Sequence, residues 1–368
     1  MRRPSAASSR ALRRALAAAT GALLVGATAF ALLALPGSAR AAASDRDALT
    51  PSERSAILAL GPWPPAPVRD EANPASGNPG GVALGESLFF GPRLSATGLR
   101  CASCHEPWRH FADGRAVARG VAAGSRNTPS LLDAARHRRY GWDGARDQLW
   151  QQSLRPLQDA REMPAAPAHV AALMRGDAAL SARYAAIFGA PPGADDARVT
   201  RDVGLALAAY VETLATPRTP FDDWRDRLAN ASDGAEPPAS DAFPEAARRG
   251  LRLFVGSAGC SACHGGPTLS DDAFHVSRVQ SMTTPGVLDH GHGDGPASVF
   301  RTPGLRDVAA TAPYFHDGSA ARLCDAVRPH AADGGNAPPL DAAQRRDLVA
   351  FLRALSSDPS NDVATACD

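Results

Sequence analysis

Apolar residues recur at helical spacing through much of the chain. Leu180, Tyr184 and Phe188 share one helix face, and Val203, Leu207, Tyr210, Val211 and Leu214 share another before Pro217 stops the run. Neither stretch alternates as a strand would. A helix is expected over Val82–Phe90, ended by Gly91-Pro92, and another near 146–155 after a turn at Tyr140–Gly144. Pro244 suits a first helical position, with Leu251 and Phe254 facing inward before Gly256. Asp341 can cap a last helix reaching Leu355, whose apolar face is Leu348, Phe351, Leu352 and Leu355. Residues 42–80 read as an irregular leader and 231–243 as a polar, Pro-rich linker. The expected fold is all-α, and Trp108, Trp150, Trp224, Tyr184 and Tyr210 are read as packing.

Two five-residue stretches interrupt this pattern in the same way. Cys101-Ala-Ser-Cys104-His105 and Cys260-Ser-Ala-Cys263-His264 are both CxxCH, the attachment signature of c-type haem. Each thiol adds across a haem vinyl group, and the adjacent His is left as an axial ligand to iron. A structural zinc site would bring its CxxC pairs roughly 15–20 residues apart, and a redox dithiol needs no His after either pair. Each motif follows a helix and precedes further helices, so the expectation is two cytochrome c-like haem domains, 42–230 and 244–368, joined by the 231–243 linker.

The first 41 residues set the expected compartment. Arg2, Arg3, Arg10, Arg13 and Arg14 precede an apolar run from Ala15 to Leu35, and Ala39-Arg40-Ala41 is a small-x-small cleavage site. This is the pattern of a secretory signal peptide, so the mature protein is expected in the periplasm without stable membrane insertion. The formal charge is +1, and the 1–41 segment carries six Arg and no acid, so a chain starting at residue 42 carries −5. That balance does not suggest a nucleic-acid partner. The chain contains no Lys, which excludes lysine Schiff-base chemistry and a P-loop lysine. Cys324 and Cys367 lie outside the CxxCH motifs, and in an oxidising compartment they are either a disulfide or two free thiols.

From about Leu84 to Leu355 the chain resembles the bacterial di-haem cytochrome c peroxidases and MauG. The resemblance rests on Leu84-Gly-Glu-Ser-Leu-Phe-Phe90, both CxxCH motifs, Arg126-Asn-Thr-Pro129, Trp142-Asp-Gly144 and Gln152 with Pro156 and Glu162-Met163. It continues through Gly265-Gly-Pro267 and Phe300-Arg-Thr-Pro-Gly-Leu-Arg306 to Thr311-Ala-Pro-Tyr-Phe-His-Asp-Gly318. It implies two covalently bound haem c groups, hydrogen peroxide as substrate at the haem of His105, and Gln152 and Glu162 as distal residues. A carboxylate within reach of both peroxide oxygens can take a proton from one and return it to the other. Trp142 matches the aromatic residue between the haems, and calcium is implied at positions matching Asn127, Thr311 and Pro313.

The second haem departs from the best-known patterns. Seven residues after Leu323, where the peroxidases place Met and MauG places Tyr, this chain has His330 in a Pro-flanked loop. The resemblance therefore implies a His264/His330 pair on the second iron. Imidazole favours the oxidised iron states more than thioether ligation does. The electrons come from a small redox protein, as in a peroxidase, or from a residue of a partner protein, as in MauG. A non-catalytic di-haem carrier is the third reading, and would need strong-field ligands on both irons, with His110 as the candidate on the first; for His110 itself a surface or propionate-contacting place is the favoured reading. His275 and His316 are expected to be structural, and the Asp289-His-Gly-His-Gly-Asp294 loop to be solvated rather than metal-binding.

Overall fold

Helix caps and close helix crossings organise the architecture. The computed structural model describes residues 48–232, 235–277, 279–284, 287–330 and 339–358; the proposed signal peptide and Cys367 lie outside them. Helix α1 (Pro51–Leu58) opens with a capping box in which Thr50 and Glu53 satisfy each other's backbone N–H groups. It falls within the stretch expected to be irregular, where a short helix among Pro and Ala has little apolar periodicity to announce it. Asn78 caps α2 (Pro79–Phe90). Next come α3 (Leu149–Gln158), α4 (Pro167–Gly176), α5 (Ala178–Phe188) and α6 (Asp196–Val211), the last almost wholly buried beyond its first turn.

Thr219 and Asp222 form a second capping box at α7 (Pro220–Asn230). Helix α8 (Glu245–Val255) has Pro244 as its N-cap, one residue before the position expected, and ends at Gly256. Helices α9 (Leu323–His330) and α10 (Ala342–Arg353) complete the set, with Asp341 capping α10. The fold is mostly helical among the described residues. It also holds two short antiparallel pairs: β1 (Phe274–Val276) joins β4 (Val299–Arg301) with His275 opposite Phe300, and β2 (Met282–Thr284) joins β3 (Val287–Leu288).

The helix preceding each CxxCH motif crosses a later helix at a glycine. A Cβ on Gly85 of α2 would stand 1.9 Å from the Ala206 carbonyl oxygen of α6, and one on Gly250 of α8 would stand 1.9 Å from the Asp347 carbonyl oxygen of α10. Only hydrogen fits at either crossing, so the helices reach backbone contact. Around the first crossing Leu84, Leu88, Phe89, Leu154, Val203 and Leu207 are buried together. Around the second, Leu251, Phe254, Leu348, Phe351 and Leu352 form another core, which also takes in Ile57 and Leu60 from the α1 region and Phe221 and Trp224 from α7. Phe243, at the end of the expected linker, is buried with its ring 5.0 Å from that of Trp224, whose Nε1 donates to the Pro237 carbonyl. Each such aromatic or leucine stabilises by roughly 1.5–3 kcal/mol on burial. From Ala48 onward the described residues cluster as one compact unit.

Trp224, Tyr184 and Tyr210 are packed as expected, but Trp108 is 72% exposed. It lies in a single 3₁₀ turn, Pro107–Arg109, too short to turn the indole under another element. Cys324 is disulfide-bonded. No helix among the described residues is long and apolar enough to cross a membrane.

Candidate functional site

Both CxxCH motifs fold alike. The residues Cys101–Ser103 and Cys260–Ala262 each form one 3₁₀ turn, and the following histidine N–H reaches back to the first cysteine carbonyl, at 2.9 Å for His105 and 2.8 Å for His264. Each ring is then oriented through Nδ1 against a backbone carbonyl, Phe111 O for His105 (3.0 Å) and Leu269 O for His264 (3.1 Å). With Nδ1 engaged as donor, Nε2 is left as the ligating atom. Burial holds the His105 ring below its usual pKa and hence neutral, the form that binds iron.

All six motif side chains line one cavity of about 930 Å³. Its walls are mainly apolar, with Phe89, Leu131, Met163, Leu207, Phe254 and Leu352 among them. Burial pushes the Cys101 thiol up to about 12 and the Cys260 thiol up to about 11. Paired thiols facing an apolar space, each pair followed by an imidazole aligned by its backbone, are the donor set that haem requires.

The first motif has Glu162 as a charged neighbour, as the second has Asp271 and His275 beside Cys263. Gln152 on α3 and Glu162, just beyond it, both line the cavity. The Cys104 thiol is pushed up to about 11 by burial first, and then by the negative charges of Asp113 and Glu162. Glu162 is therefore close enough to the first attachment site to be felt electrostatically. Its carboxylate accepts a hydrogen bond from Arg155 Nη1 at 2.5 Å. The sequence reading did not single out Arg155; its place in the Gln152–Glu162 segment was the available signal.

Trp142 also lines the cavity, with its indole nitrogen donating to Asn127 O (2.9 Å) and its own carbonyl accepting from Arg301 N (3.0 Å). Its ring lies 6.4 Å from that of His316, which stacks on Phe300 at 3.8 Å. His316 is almost fully buried and hydrogen-bonded to Ser281, in keeping with a structural role. Asn127, Thr311 and Pro313 also line the cavity. Asn127 donates through Nδ2 to Arg115 O, which leaves its Oδ1 as the acceptor.

Three further parts of the chain are placed as follows. His110 does not line the cavity; its Nδ1 meets Asp307 Oδ2 at 3.3 Å, which draws the ring toward the second half of the chain. The Asp289–Asp294 loop is anchored at its base, while His292, Gly293 and Asp294 at its tip are exposed. Asp289 is buried and accepts two hydrogen bonds from Arg126, while the His292 ring stacks on Phe274. Burial alone would raise the Asp289 carboxyl, but the Arg126 guanidinium holds it below the usual range. His330 is the last residue of α9 rather than part of a loop, and its side chain lies outside the described residues.

Residues 79–230 match the family model described as di-haem cytochrome c peroxidase. The methylamine utilization protein MauG of Methylorubrum extorquens is 34% identical over 92% of this chain and 94% of its own length. The chain belongs to the di-haem cytochrome c peroxidase family. This di-haem peroxidase is also 34% identical to the cytochrome-c peroxidase IdrP1 of Denitromonas iodatirespirans, over 81% of this chain and 86% of that protein. A crystal structure of a MauG-like protein associated with microbial copper homeostasis superposes with a TM-score of 0.64 at 27% identity, covering 81% of this chain and 95% of that one. The protein is an oxidoreductase with haem cofactors, and its reaction brings together peroxide and a protein electron partner or protein substrate.

Proposed function

We propose that this is a periplasmic di-haem c-type peroxidase in which hydrogen peroxide is reduced on the His105 side of the cavity. The observation that carries the reading is Glu162, whose charge is felt at the Cys104 thiol and which lines, with Gln152, a largely apolar cavity that also reaches the second CxxCH. Cys101 and Cys104, and likewise Cys260 and Cys263, would hold haem through thioether bonds, with His105 and His264 as axial ligands. Haem bound there supplies iron for peroxide reduction and for storing the oxidising equivalents.

The side chains supply positioning and proton movement. Gln152 orients peroxide by hydrogen bonding. Glu162 takes the proton from one peroxide oxygen and delivers it to the other, the leaving oxygen. Two electrons and two further protons balance the conversion of one peroxide to two waters. Trp142, fixed at both its indole nitrogen and its carbonyl, provides an aromatic station between the two attachment sites. The backbone of α9 supports His330 as second axial ligand: positions 323, 326, 327 and 330 share one helix face, and Leu323, Ala326 and Val327 line the cavity. Asn127, Thr311 and Pro313 would offer oxygen donors to calcium.

The electrons come from a small redox protein or, in a second reading, from a residue of a partner protein as in MauG. The second reading is favoured by His330 standing where the peroxidases carry Met, and by the extent of the match to MauG. Glu162→Gln tests the reading common to both. It should slow the reaction with peroxide by about 10²–10⁴-fold while both haems stay attached; a rate equal to wild type would refute the proton-transfer role.

A further inference from the structure

We propose that Arg155 is a positioning residue that fixes Glu162 as a one-oxygen proton shuttle. This rests on the reading of Glu162 given above. Arg155 Nη1 lies 2.5 Å from Glu162 Oε1, and both side chains line the haem cavity. With Oε1 committed to the guanidinium, Oε2 is the oxygen left for exchange with peroxide. The proton that Oε2 accepts neutralises the carboxylate and weakens its charge-assisted bond to Arg155. Returning that proton to the leaving oxygen restores the bond, so Arg155 favours the second half of the transfer.

The surroundings argue against a purely structural pair. The Arg155 and Glu162 side chains are 41% and 29% exposed, and an ion pair so open to water contributes little to stability. The backbone of Glu162 is already fixed without it. Its N–H donates to Asp159 O (3.1 Å), its carbonyl accepts from Val121 N (2.9 Å), and Met163 N closes on Pro156 O (3.1 Å). Gly120 allows this approach, since a Cβ there would stand 2.3 Å from the Glu162 carbonyl oxygen. The segment is thus held by the main chain, and the Arg155 contact determines where the carboxylate points. Asp159 Oδ2, 3.6 Å from Arg155 Nη2, steadies the guanidinium from the other side.

The test uses the haem-loaded protein, with haem content measured for each variant. Arg155→Ala should slow peroxide turnover by about 10²-fold with little change in the peroxide KM. Millimolar guanidinium, well below denaturing concentrations, should restore part of that rate in Arg155→Ala and none in the Arg155→Ala/Glu162→Gln double variant. Arg155→Lys keeps the charge and should fall between wild type and Arg155→Ala, which serves if the alanine variant loads haem poorly. A rate for Arg155→Ala within twofold of wild type would overturn the proposal, as would a slow variant that guanidinium leaves slow, or rescue that persists in the double variant. Failure of the Glu162 reading is separate: it would appear as a wild-type rate in Glu162→Gln alone.

Discussion

The Trp142 indole nitrogen donates to the Asn127 carbonyl at 2.9 Å, which ties the one tryptophan of the cavity wall to the Arg126–Pro129 loop beside the first attachment site. Trp142→Phe removes this donor and should cost roughly 1 kcal/mol of stability. Its larger effect should be kinetic. Electron exchange between the two haems, followed after rapid one-electron reduction, should slow by at least tenfold. Exchange at the wild-type rate would reduce Trp142 to a packing residue.

The glycines at the two helix crossings should be intolerant of a single methyl group. Gly85→Ala and Gly250→Ala each place a Cβ 1.9 Å from a backbone oxygen, so the helices must separate. Overpacking of this kind costs about 1–3 kcal/mol or more. Thermal unfolding should show a lowered midpoint in both variants, whereas Gly98→Ala, with no atom within 4 Å of the new Cβ, should show only the smaller penalty of its positive φ. Unchanged midpoints at the crossings would contradict the packing described.

Two tryptophans should respond in opposite ways. Trp224 is fully buried against Phe243 and bonded to Pro237 O, so Trp224→Ala should destabilise by about 3–5 kcal/mol. Trp108 is largely exposed, and Trp108→Ala should change stability by no more than about 0.5 kcal/mol. Denaturant titration of the two variants side by side checks both values.

His110 gives a signed dependence on pH. Its hydrogen bond to Asp307 raises its pKa above the ordinary value, more than burial lowers it. A raised folded-state pKa contributes stability that is fully present below the unfolded value near 6.5 and is lost as pH rises through the folded value. The contribution is on the order of 1 kcal/mol or less, because the ring is partly exposed. Compared with His110→Gln, the wild-type protein should lose more stability between mildly acidic and mildly alkaline pH. Parallel pH profiles would show that the contact carries no linkage.

The parts of this molecule visible in its sequence are those set by local chemistry. Periodic apolar runs located α5 and α6, Asp341 announced the cap of α10, and the CxxCH repeats marked both attachment sites. The β1–β4 pairing was not legible, because it joins Phe274 to Arg301 across a long loop and each strand is only three residues long. Helix α7 carries a readable Thr219/Asp222 capping box, yet its packing on the second core follows from tertiary contacts alone. Within the site, Gln152, Glu162 and Trp142 were recognisable only through the family motifs they match, and all three reach the cavity. Arg155 was not, since its significance is a contact with Glu162 seven residues away, around the end of a helix.

The central claim is that two like attachment motifs have become unequal, the first open to peroxide beside Glu162 and the second closed by His330. An electron paramagnetic resonance spectrum of the ferric, haem-loaded protein tests this most directly. The account predicts one high-spin signal, altered rapidly by peroxide, alongside one low-spin signal that His330→Ala converts. Two low-spin haems in both redox states, with no response to peroxide, would contradict it.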